Sequence, residues 1–165
     1  MFNVLVYVYE NYWHGAACPE LSRLERKLNA VGFESDEIRD AIQWLDGLNL
    51  AAQGTQRQGN PLNQDSDKAL TIQQSPISLR VYSLAEQDQL GTIGLGFISF
   101  LESAGVLPPE MREIVIDRAM IIEENMISLE NLKLIILMVY WSLGEEPDAL
   151  ILDELSDDKS TRTAH

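Results

Sequence analysis

Residues 129–141 read LENLKLIILMVYW, and the eight residues from Leu134 to Trp141 are apolar without a break. A helix built on that run has no polar face, so it is stable only when other elements cover it on every side. The spacing predicts a central, covered helix there, with Ser128 as its N-cap and Gly144 as its stop. Eight residues are too few to cross a bilayer, which takes roughly 20, so no membrane partner is expected.

The neighbours of this run supply its cover. Upstream, Pro108 and Pro109 suit a helix start, and Met111, Ile114, Val115, Ile121 and Ile122 offer one apolar face. Further back, Ser83 and Glu86 have the spacing of a capping box. A helix from Ser83 must tolerate Gly91, Gly94 and Gly96, each about 1 kcal/mol worse than alanine. It is expected to bury Phe97, Phe100 and Leu101 before ending at Gly105. Downstream, Leu150–Leu155 forms a short amphipathic piece followed by a polar tail.

The first half carries three further segments. Met1–Trp13 is rich in Val and Tyr, which suits a strand, but Phe2, Leu5, Val6, Tyr9, Tyr12 and Trp13 fall at helical spacing and a helix is expected. Leu21, Leu24, Leu28 and Val31 mark a second helix with Gly32 just past its end. In the third, Ser35 is read as the cap, Asp36 and Glu37 favour the positive end of the dipole, and Ile38, Ile42 and Leu45 form the buried stripe with Trp44 beside it. Gly47 and Asn49 are expected to end it.

From Asn49 to Pro76 the composition turns to Gln, Asn, Gly, Ser and Asp. Such a stretch buries too little surface to offset its ordering entropy, and it reads as a linker or long loop. Leu70 and Ile72 alternate with polar neighbours, as do Ile77, Leu79 and Val81, which leaves room for a short β-hairpin and hence a winged-helix-like N-terminal half. The expected fold is mainly α: a small bundle of about six helices. Its expected units are residues 1–48, a polar linker at 49–76, a C-terminal unit at 77–155 and a tail at 156–165.

One pattern recurs. Leu24, Leu28, Gly32, Glu37, Ile38 and Arg39 return 73 positions later as Phe97, Leu101, Gly105, Glu110, Met111 and Arg112. Either any helix–glycine–helix hairpin needs such residues at this spacing, or the chain contains a duplication.

Charge narrows the function. The chain has 26 acidic and 12 basic side chains, a formal net charge of −14. Residues 1–80 carry 10 acids and 7 bases, whereas residues 81–165 carry 16 and 5. A surface this negative repels phosphate backbones unless a basic patch is segregated on one face. The basic cluster Arg23, Arg26 and Lys27 is interrupted by Glu25, and the third helix, as a recognition helix, offers one arginine against five acids. Direct nucleic-acid binding is therefore not expected.

Catalysis needs a nucleophile beside a base, or ligands at metal spacing. The histidines are His14 and the terminal His165, and Cys18 is the single cysteine. Neither a histidine triad nor a zinc or dithiol site follows. A lone cysteine suits a reducing, cytoplasmic setting. Gly91, Gly94 and Gly96 do not make a dinucleotide fingerprint. A calcium loop starting at Asp65 fails because its twelfth position is Pro76. No cofactor, metal or enzymatic activity is expected.

What remains is a candidate partner-binding group: Arg112, Glu113, Asp117 and Arg118, with Trp44. Arginine and tryptophan are the anchors that protein interfaces favour. The competing reading is an internal ion-pair network for the charges and core packing for the tryptophan.

The segments MFNVLVYVYENY, LERKLNAVGFESDEIRDAIQWL, SLRVYSLAE, GFISFLESAGVLPPEMREIVIDRAM and LENLKLIILMVYW stand in one order over most of residues 1–155. In that combination the chain resembles the Smg family of small bacterial proteins. The Gln/Asn-rich insert near residues 51–68 is longer than that resemblance leads one to expect. The resemblance implies a cytoplasmic bacterial protein and brings no activity and no site residue with it. A weaker likeness, confined to residues 24–45, is to the three-helix repeats of RecX-like regulators, at the level of fold only. Three functions follow in order of preference: a non-enzymatic interaction or adaptor protein whose partner has a basic surface, a winged-helix nucleic-acid regulator, and a carboxylate- or metal-dependent enzyme.

Overall fold

The eight apolar residues of Leu134–Trp141 lie at the centre of the protein. The computed structural model describes residues 1–12, 21–58, 80–122 and 126–145. These residues form six helices: α1 (Phe2–Tyr12), α2 (Leu21–Val31), α3 (Ser35–Gln58), α4 (Leu84–Ser103), α5 (Pro109–Met120) and α6 (Leu129–Leu143). Every residue of α6 from Leu132 to Trp141 is buried, Lys133 included. The helix packs against α1, α3, α4 and α5, so its lack of a polar face meets no water. Each aliphatic side chain fully buried there contributes roughly 1.5–3 kcal/mol, against the entropy lost in ordering it. The Ser128 hydroxyl accepts the Asn131 N–H, and Gly144 closes the helix in the left-handed conformation, as the sequence indicated.

Residues from all six helices join one apolar cluster, so the N-terminal and C-terminal helices share a core. α1 is helical, and it buries Val4, Leu5 and Val8 completely, with Phe2, Val6, Tyr9 and Tyr12 half-covered. Leu24 and Leu28 bury α2 against α3, and Gly32 ends it at φ 103°.

α3 departs from expectation at both ends. Ser35 is already helical, because the Glu34 carbonyl accepts the Ile38 N–H, so Ser35 is not the cap. At the far end the helix runs through Gly47 and Asn49 to Gln58. The apolar stripe Ala41, Leu45, Leu48 and Ala52 continues at helical spacing and is buried, and that burial outweighs the helix cost of Gly47 and Asn49.

The expected β-hairpin and the winged-helix arrangement are not supported. There is no strand among the described residues, and Val81 lies in a segment, 80–83, that is neither helix nor strand. Leu70, Ile72, Ile77 and Leu79 lie outside the described residues, as do Leu150–Leu155 and the tail.

α4 opens with the capping box: the Ser83 hydroxyl accepts the Glu86 N–H while the Glu86 carboxylate accepts the Ser83 N–H. Its glycines differ in role. Gly91, at φ 63° and ψ 172°, kinks the helix in a region open essentially to glycine alone. The Gln89 carbonyl released there accepts the Ile127 N–H at 2.8 Å, and the Gln89 side-chain amide donates to the Ile122 carbonyl at 2.8 Å. Gly94 sits against Leu132, where a Cβ would lie 3.2 Å from that leucine, whereas Gly96 faces open space. The buried face nevertheless runs on across the kink at helical spacing through Gly94. Leu90, Ile98 and Leu101 point inward, Phe97 is half-covered, and Phe100, expected in the core, is 55% exposed.

In α5, Met111, Ile114 and Val115 are buried as expected, joined by Arg112, Ile116 and Ala119. Past its end Ile122 is buried, while Ile121 is half-exposed because the helix has stopped and the face no longer continues.

Candidate functional site

Four of the five residues singled out from the sequence belong to α5, and the helix sends them to different neighbours. At 100° per residue, Arg112 and Arg118 point roughly 120° apart.

On the side facing α4 the charges interlock. The Arg112 side chain is 6% exposed, and its Nη1 donates to Glu102 while Nε and Nη2 donate to Glu113 Oε1 at 2.9 and 2.8 Å. Arg80, from the segment before α4, donates from Nε and Nη2 to the two Glu113 oxygens at 2.7 and 2.8 Å, and from Nη1 and Nη2 to Glu86 at 3.2 and 2.9 Å. Its guanidinium also lies 4.7 Å from the centre of the Tyr82 ring. Residue 80 is thereby tied to the first turn of α4 and to α5.

The ionisation of these groups follows from the contacts. The hydrogen bonds from Arg80 hold the Glu86 carboxyl down at about 2. Burial pushes Glu113 up, but the hydrogen bonds from Arg80 and Arg112 outweigh it and leave the carboxyl below its ordinary range. Burial raises Tyr82, whose hydroxyl is buried with no hydrogen-bond partner among the described residues. Carboxylates held ionised by arginines have no proton to donate near neutral pH, so the cluster serves as a lacing of three segments.

On the side facing α3 the surface is open. Trp44 is 3% exposed, and its indole N–H donates to the Arg118 carbonyl at 3.0 Å. The Arg118 side chain folds back over α3 and lies on Gly47, where a Cβ would come within 2.1 Å of Nη1. Asp117, whose side chain is 61% exposed, holds the Arg118 Nε at 3.0 Å and Nη2 at 2.6 Å. Trp44, Gly47 and Arg118 form the floor of a groove of about 660 Å³. Its walls are Asp40, Gln43 and Asp46 from α3, Met1, and Ile121 and Ile122 after α5. The Met1 ammonium is paired with Glu37 at 3.2 Å.

The structure thus unites Trp44, Asp117 and Arg118 and sets Arg112 and Glu113 apart from them. Trp44 belongs to the core cluster, Tyr7 and Tyr12 are half-covered at its edge, and Trp13, His14 and Cys18 lie outside the described residues. Sequence reasoning missed Arg80, Glu86 and Glu102 as partners of Arg112, since nothing in linear spacing joins them. It also missed the groove wall. Asp40, Gln43 and Gly47 share a face at i, i+3 and i+7, and reading Gly47 as a helix end hid its place on that face.

Other chemistries find little to build on. Arg23, Arg26 and Lys27 are exposed on α2, but Arg39 is held by Asp36 at 3.0 Å and Asp40 at 3.9 Å and adds no net charge to them. Among the described residues no three or more His, Cys, Asp or Glu side chains are grouped to hold a metal ion. No described helix is long and apolar enough to cross a membrane.

Residues 1–165 match the family described as "Protein of unknown function (DUF494)". The chain is 57% identical to the protein named "Protein Smg homolog" of Leptothrix cholodnii, over the whole of both chains. It is 55% identical to the protein of the same name from Methylibium petroleiphilum and 47% identical to that of Bordetella avium, again over the full length of each. No solved structure matches the chain.

Proposed function

We propose an interaction role for this chain, which belongs to the Smg family of proteins of unknown function (DUF494). It acts as a non-enzymatic adaptor in the cytoplasm and docks on a partner protein through a basic surface of that partner. The observation that carries this reading is the fate of the arginines. Arg80, Arg112 and Arg118 are each bound by carboxylates of the chain itself. Meanwhile Glu34, Asp46, Asp88 and Glu110 are exposed with no ion pair among the described residues. Away from the exposed Arg23, Arg26 and Lys27 of α2, positive charge is paired within the chain while negative charge is presented outside, and an interface matched to such a surface is basic.

The test is an affinity pull-down of the full chain in ~0.15 M salt, with nuclease present, where exposed charges further apart than ~8 Å are largely screened. The expected result is a stoichiometric protein partner that is released as salt is raised. Retention of nucleic acid alone, and only without nuclease, would overturn the reading in favour of a nucleic-acid regulator.

A further inference from the structure

The groove between α3 and α5 has a specific chemistry. Its floor is Trp44 and the guanidinium of Arg118, and its apolar lip is Ile121. Leu50, one turn beyond Gly47 on α3, is 64% exposed and stands next to the groove, outside its lining. The charged groups around it are unequal in their freedom. The Met1 ammonium is taken by Glu37 and the Arg118 guanidinium by Asp117. Among the described residues Asp40 has only the Nε of Arg39, at 3.9 Å, and Asp46 has no ion pair. The rim therefore presents two undercompensated carboxylates, about 9 Å apart along the helix axis at 1.5 Å per residue, beside an apolar surface.

We propose that this groove is the docking site for a short segment of a partner protein that carries basic residues on both sides of an aliphatic one. The proposal rests on the interaction reading above and assigns it a place and a sequence class. Charge complementarity selects the occupant. The aliphatic side chain lies on Ile121, and the flanking lysine or arginine side chains reach Asp40 and Asp46. A single cation cannot serve both carboxylates at that separation. A second copy of this chain, with a net charge of −14, brings the wrong sign. A volume of about 660 Å³ falls among clefts that hold compact ligands, roughly 300–1,000 Å³, which suits one linear segment rather than the broad face of a domain.

Gly47 is the positioning residue of the groove. The missing Cβ gives the Arg118 guanidinium its seat against α3. Any side chain there drives Nη1 outward, into the space the segment occupies and next to the carboxylates that attract it.

The test is photocrosslinking in the native host, with benzoylphenylalanine placed in the full chain at Leu50, one turn beyond the groove on α3, or at Ile93 on the exposed face of α4. Adducts are identified by mass spectrometry of the crosslinked peptide. The expected result is an adduct from position 50 with a partner peptide bearing basic residues around an aliphatic one. Its yield drops roughly five- to tenfold in the Asp40→Asn, Asp46→Asn double variant, the scale of two exposed ion pairs. It disappears in Gly47→Ala and survives in Gly54→Ala, whose added methyl meets nothing. Circular dichroism of each variant establishes that the helices are intact. Position-50 adducts with an acidic peptide, with nucleic acid or with a second copy overturn the proposal, as does insensitivity to Gly47→Ala. Adducts with a partner from position 93 alone overturn the groove and leave the interaction role standing. Adducts from neither position, with an empty pull-down, overturn both.

Discussion

The hairpin α2–Gly32–α3 and the hairpin α4–Gly105–α5 match in spacing and diverge in what happens to one arginine. Gly32 and Gly105 both end a helix at positive φ, 103° and 71°. Ile38 and Met111 then occupy equivalent buried positions, followed by Arg39 and Arg112. Yet the Arg39 side chain is 70% exposed and pairs with the exposed Asp36 and Asp40 on its own helix, while Arg112 is 6% exposed and pairs with Glu102 and Glu113 beside Arg80. The local sequence dictates the turn and the apolar stripe in both places. What surrounds the arginine differs: Glu102 and Glu113 of the second hairpin and Arg80 from the segment before α4 close around Arg112, and Arg39 is left in water.

The largest effect that separates the two hairpins is expected from removing those arginines. Arg112→Ala removes the partner of Glu102 and leaves Glu113 to Arg80 alone, and its cost should approach ~3 kcal/mol, the low end for breaking a buried pair because Glu113 keeps Arg80 and is half-exposed. Arg39→Ala should change stability by less than about 0.5 kcal/mol. Urea unfolding of both variants, with unchanged m-values, checks this, and equal losses would erase the distinction.

Acid sharpens the same contrast. Glu86 is held at about 2 and Glu113 below its ordinary range, so both bind protons less readily folded than unfolded. The stability they supply is complete above the ordinary carboxyl value of 4.5 and is lost as pH falls toward about 2. Arg80→Gln should flatten this acid limb in a titration of the unfolding midpoint, whereas Arg39→Gln should leave it as steep as before.

Two smaller effects concern the shared framework and the cover. Gly32→Ala and Gly105→Ala meet no atoms within 4 Å but force an L-residue to positive φ, and each should cost about 1–2 kcal/mol. Similar losses in thermal unfolding would establish that the two turns are equivalent, and a large disparity would break the likeness. Tyr82→Phe removes a buried hydroxyl that has no partner among the described residues, so it should be neutral or stabilise by up to ~1 kcal/mol. A clear loss in the same assay would mean that the hydroxyl is bonded after all.

Much of this architecture was legible in the residues. Ser83 with Glu86, Ser128, Gly32 and Gly144 punctuate the helices as local chemistry requires, and the uninterrupted run Leu134–Trp141 announced its central position. What escaped notice depended on distance or on competition. Gly47 and Asn49 argue against a helix locally, and only the burial of Leu48 and Ala52 against the core overrides them. Phe100 reads as core by hydrophobicity, but Gly94, Ile98 and Leu101 share the inward face of α4 at helical spacing and leave Phe100 outside it. Within the candidate site, Arg112 and Arg118 were visible as residue types. Their separate roles depend on Glu102, Arg80 and Gly47, which are remote in the chain.

The break in α4 at Gly91 has a consequence for the way the protein breathes. Ile127 belongs to no helix, yet its amide hydrogen is held by the carbonyl that the kink releases at Gln89, and its side chain is 5% exposed. An amide in a connecting segment ordinarily exchanges with solvent deuterium through local fraying. This one is shielded until α4 draws away from the start of α6. Its exchange should run with that of the slowest core amides, so that one hydrogen outside the helices reports the opening of the whole bundle.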